Sequence, residues 1–157
     1  MKRPLQQRRR TNSFTAPAPA LSTTLAAPPQ DALVEATCRS DFASFVRKSF
    51  HQLNPGSAFL PNWHIEAITY HLELIRSGKV KRLIINVPPR SLKSLTGSVS
   101  FPAFVLGNDP SKRIIVVSYG EDLAVKLAND FRAIVDSDWY RRLFPWSQLQ
   151  NYLERLS

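Results

Sequence analysis

Arg90-Ser91-Leu92-Lys93-Ser94 is the stretch whose residue types and order could do chemistry. A lysine followed by a hydroxyl at the entrance to a helix suits a polyphosphate. The ammonium can reach the outer phosphates, and the hydroxyl can ligate Mg²⁺. A helix N-terminus adds unpaired N–H groups and a partial positive charge. Against the phosphate-loop pattern G-x-x-x-x-G-K-[ST], only Lys93 and Ser94 match, and Val87 and Leu92 stand where the glycines would be. A side chain at position 92 restricts the backbone conformations that can wrap a phosphate. Arg90 could stabilise charge on a transferring phosphoryl group. The same residues also fit a solvated lysine at a helix start and a surface arginine.

Positioning such a loop requires an element on each side. Lys81 to Val87 is a short apolar run rich in branched residues, which predicts a buried strand of a parallel sheet ended by Pro88-Pro89. Ser91 to Leu106 follows as a helix, which Pro102 should kink or break near Phe101. Gly107-Asn108-Asp109-Pro110 marks a turn, and Arg113 to Ser118 predicts a second strand. Ser118 with Glu121 forms a capping-box pattern, and a helix carries the stripe Leu123, Leu127, Phe131, Ile134, Val135. Upstream, Phe42, Phe45, Val46 and Leu53 predict a helix over 41–53 that Asn54-Pro55-Gly56 stops. Asn62 is the expected N-cap of a helix striped by Ile65, Ile68, Leu72 and Ile75, with Gly78 just past its end. A last short segment spans Trp139 to Phe144, and Pro145 separates it from a helix over 147–156. Helices alternating with strands predict an α/β fold with a mainly parallel sheet.

Five of the 21 basic residues and none of the 12 acidic ones lie in the first 30 positions, so the net charge of +9 is uneven. Pro4, Pro17, Pro19, Pro28 and Pro29 interrupt this arm, and it offers little apolar surface, which predicts disorder over 1–30. Its Arg8 to Arg10 could touch nucleic acid non-specifically. The 43% hydrophobic content excludes disorder throughout the chain. Cys38 is the single cysteine, which excludes an intrachain disulfide and a thiolate metal cluster. No apolar run is long enough to span a membrane.

Residues 42–146 resemble the N-terminal part of the ATPase domain of the large terminase subunit of tailed phages and prophages. The resemblance is carried by LNPGSAF (53–59), NWHIEAI (62–68), KRLIINVPPRSLKSL (81–95), FPAFVLGNDPSKRIIVVSYGEDLA (101–124) and SDWYRRLFP (137–145). It implies that the glycine-poor loop is the Walker A loop of a truncated P-loop NTPase-like three-layer fold. Pro89, Arg90, Ser91, Leu92, Lys93, Ser94 and Leu95 would then bind ATP, with Lys93 and Arg90 in catalytic roles and Ser94 on Mg²⁺. Trp63 and His64 match a block where related motors place an adenine-contacting motif. Trp63 equally fits a core role. Ser118 ends the second expected strand, where a helix-capping role is also open.

The resemblance further implies double-stranded viral DNA, a portal and a small terminase subunit as partners. It also implies a homo-oligomer in the full-length protein, and a phage- or prophage-encoded protein of the bacterial cytoplasm. Hydrolysis would need an Asp for Mg²⁺ and a carboxylate to activate water. Ala133 to Asp136 reads as a helix end rather than such a strand, and Glu121-Asp122 sits in the capping pattern. The expectation is therefore an incomplete domain over 31–157, able to bind ATP without turning it over. The alternative is a non-catalytic basic protein that binds nucleic acid or another protein.

Overall fold

The apolar stripes form helices where their spacing places them. The computed structural model describes residues 30–145. The expected arm and the expected helix over 147–156 lie outside these residues, apart from Gln30. Six α-helices occur among the described residues: α1 (Gln30–Ser40), α2 (Phe42–Leu53), α3 (Trp63–Arg76), α4 (Phe101–Asn108), α5 (Glu121–Val135) and α6 (Asp138–Leu143). Asp41 caps α2, its carboxylate accepting from the Ser44 amide at 2.7 Å. Asn62 precedes α3 with an extended backbone but without a side-chain capping bond.

Gly78 ends α3 at φ 74°, in the left-handed region. Its amide donates to Ile75 and the Lys79 amide to Leu74, each at 2.9 Å, which together form a Schellman turn.

The parallel sheet expected from the two apolar runs is absent. Among the described residues there is no strand, so the α/β, three-layer reading is overturned in favour of a helical fold. A strand exists only when a neighbour takes its backbone hydrogen bonds, and neither 81–87 nor 113–118 has such bonds. Segment 83–87 keeps a two-residue alternation. Leu83, Ile85 and Val87 pack against the helices, while Ile84 is 93% exposed. Segment 113–117 stays outside the core, with Ile115 and Val117 at 88% and 85% exposure and Ile114 and Val116 partly covered.

Pro102 does not break its helix. The chain turns helical at Lys93, passes through a π-helical stretch over Leu95–Ser100, and becomes α-helical at Phe101. Proline lacks the N–H that would bond Ser98 and its ring crowds that carbonyl, so a wider turn just before it is the accommodating geometry. The amide of Phe101 accordingly donates to Thr96, five residues back.

The core gathers where α2, α4, α5 and α6 meet. Phe45 is fully buried, with ring centroids 5.3 Å from Phe104, 5.4 Å from Trp139 and 6.1 Å from Phe144. The Tyr140 hydroxyl donates to the Ala103 carbonyl at 2.8 Å, and burial raises its pKa. α1 shows no apolar stripe in the sequence because Leu33 and Val34 are exposed and only Cys38 is buried. It is held instead by Arg39, which donates to the Leu143 carbonyl at 2.8 Å, and by Glu35, paired with Arg142 at 2.8 Å. Ile134 and Val135 are buried on α5, so Ala133 to Asp136 is a helix end, as the stripe predicts.

Candidate polyphosphate loop and adjoining groove

Residues 87–95 curl around a concavity of about 490 Å³ that they alone line. The backbone makes the curl by entering the left-handed region twice without glycine, at Arg90 (φ 64°) and Leu92 (φ 56°). Left-handed conformation in a side-chain-bearing residue costs about 1–2 kcal/mol. The Ser91 hydroxyl donates to the Pro88 carbonyl at 2.8 Å and closes the turn. The first helical bond runs from the Thr96 amide to the Leu92 carbonyl, at 2.9 Å. The amides of Lys93, Ser94 and Leu95 precede that bond and have no backbone acceptor among the described residues.

Charge on the loop is of one sign. Pro89, Arg90, Lys93 and Ser94 are exposed, Ser91, Leu92 and Leu95 are half-buried, and Leu92 and Leu95 rest on the core. Neither Arg90 nor Lys93 has an ion-pair partner among the described residues. Two cations, two serine hydroxyls and a row of free amides around one concavity make an arrangement suited to a polyanion.

A second groove, of about 290 Å³, lies between α3 and segment 83–87, and Val87 lines both cavities. Trp63, His64, Ala67, Ile68 and His71 form its helical wall. Trp63 is 78% exposed, so the core role open to it in the sequence is not the one it takes.

The Trp63–His64 block thus stands on the wall of a groove that shares Val87 with the loop concavity. His71 was not singled out in the sequence, although seven residues after His64 is the same helical face.

Ser118 does not cap α5. Gly120 is the N-cap, and the Ser118 hydroxyl is buried without a hydrogen-bond partner among the described residues. For Mg²⁺ the loop offers the hydroxyls of Ser91 and Ser94 and no carboxylate. Among the described residues no cluster of three His, Cys, Asp or Glu could hold a metal. No helix among the described residues is long and apolar enough to cross a membrane. Comparison with protein-family models, with curated proteins and with solved structures gives no match.

Proposed function

We propose that this chain binds the polyphosphate of ATP in the loop 88–95, as a phage terminase-like DNA-packaging ATPase does, without hydrolysing ATP by itself. The observation that carries this reading is the loop concavity. Arg90 and Leu92 adopt φ of 64° and 56°, values that phosphate-wrapping loops ordinarily reach with glycine, and Lys93-Ser94 follow directly at the helix start. Nothing in the packing of the loop calls for that conformation at Arg90, which is exposed. Unusual backbone conformations of this kind cluster at ligand clamps.

The roles follow from position. Lys93 meets the outer phosphates as a point charge. Arg90 meets them with a planar fork of donors, and the amides of Lys93 to Leu95 supply the remaining hydrogen bonds. None of the residues lining the loop is acidic, so nothing there would activate a water. Within this reading, the double-stranded viral DNA, the portal and the small terminase subunit are the motor's partners.

The test is equilibrium binding of a fluorescent ATP analogue to the full chain, beside Lys93→Ala. Wild type should bind, and the variant should lose at least tenfold, the loss expected when a charge-assisted contact worth about 1.5–3 kcal/mol is removed. Equal binding by the two proteins would sink the proposal. Steady ATP hydrolysis that Lys93→Ala abolishes would overturn the non-hydrolytic part alone.

A further inference from the structure

We propose that His71 selects the nucleobase, its Nε2 accepting a hydrogen bond from an exocyclic amino group of a base lying in the groove along α3. The proposal rests on the polyphosphate reading of the loop and adds a residue to it.

Three observations meet at this side chain. His71 Nδ1 lies 2.7 Å from the Ala67 carbonyl oxygen. A carbonyl can only accept, so Nδ1 carries the proton and donates, and the neutral ring presents Nε2 as a bare acceptor. The ring also lines the groove, whose other walls include Ile68, Leu83, Ile85 and Val87. Apolar walls of this kind suit a flat heterocycle. Lastly, Val87 lines both the groove and the loop concavity, so the two adjoin. A nucleotide with its phosphates in the loop would lay its base in the groove, with an edge of the base toward His71.

The other polar residues of the groove lack this direction. Asn86 has both a donor and an acceptor on its amide, so it accepts either an amino or a carbonyl partner. His64 has no hydrogen bond that fixes its tautomer among the described residues, its ring contact being with neighbouring Trp63. Only His71 has one ring nitrogen committed and the other left with a fixed role.

Three probes separate the contributions: ATP, ITP and inorganic tripolyphosphate. ITP replaces the 6-amino group by a carbonyl and so presents a lone pair to Nε2. Isothermal titration of the full chain should give ATP roughly a tenfold advantage over ITP, the scale of one hydrogen bond gained and one unfavourable contact avoided. His71→Phe keeps a ring in the groove and removes the acceptor. It should erase the ATP-over-ITP ratio and leave tripolyphosphate binding unchanged, and His71→Ala should do the same. A ratio preserved in His71→Phe, or absent in wild type, overturns the role of His71 while leaving the loop intact. Failure of wild type to bind tripolyphosphate would instead remove the loop reading, and this inference with it.

Discussion

Arg90 and Leu92 differ in what holds them in the left-handed region. Leu92 is half-buried and packed against the core, so its side chain contributes to the geometry it strains. Arg90 is exposed and has no ion-pair partner among the described residues, so the fold gains nothing evident from its side chain. Arg90→Gly should therefore raise folding stability by about 1 kcal/mol, measured by urea denaturation, because glycine adopts φ 64° without the Cβ clash. The same change should weaken polyphosphate binding several-fold, since the guanidinium is lost. Stability and affinity moving in opposite directions would separate a functional arginine from a merely tolerated one. The residue types of this loop were legible in the sequence, because Lys-Ser at a helix entrance is a local pattern. The left-handed angles were not, since Leu92 gave a reason to expect a poor phosphate loop.

The helices were legible because their signal is local. Phe42, Phe45 and Val46, then Ile65, Ile68 and Leu72, then Leu127, Ile134 and Val135 are buried at helical spacing. The runs Leu83–Val87 and Ile114–Val117 show why strands were not. Branched residues favour extended backbone, but pairing depends on a partner elsewhere in the chain, which so short a run does not reveal. Where helices meet, side-chain size sets the approach. A Cβ added at Gly107 of α4 would lie 2.5 Å from Phe144 Cδ2, just past α6. Gly107→Ala should cost about 1–3 kcal/mol, read as a lower midpoint in thermal or urea unfolding. Wild-type stability in the variant would show that Phe144 can move aside.

For the molecule as a whole, the notable feature is where apolar surface remains outside. Ile84, Ile115 and Val117 stand on segments whose backbone groups are also unpaired among the described residues. Exposed apolar side chains beside open N–H and C=O groups form a template for association between chains. The double substitution Ile115→Lys, Val117→Lys should reduce self-association in sedimentation velocity at tens of micromolar protein. It should change folding stability by no more than about 0.5 kcal/mol, because neither side chain packs on the core. Unchanged sedimentation would place the association, if any occurs, on another surface.

The Schellman turn at Gly78 has a role beyond ending α3. It ties Lys79 and Val80 to Leu74, and a few residues beyond that anchor the segment 83–87 alternates between packed and exposed side chains. The connection therefore works as a ruler. One residue inserted between Val80 and Leu83 would turn Leu83, Ile85 and Val87 outward and bring Ile84 and Asn86 onto α3. It would also carry the loop about 3.3 Å along its path. The placement of the loop's cations relative to α3 is thus set by the number of residues between the turn at Gly78 and Pro88.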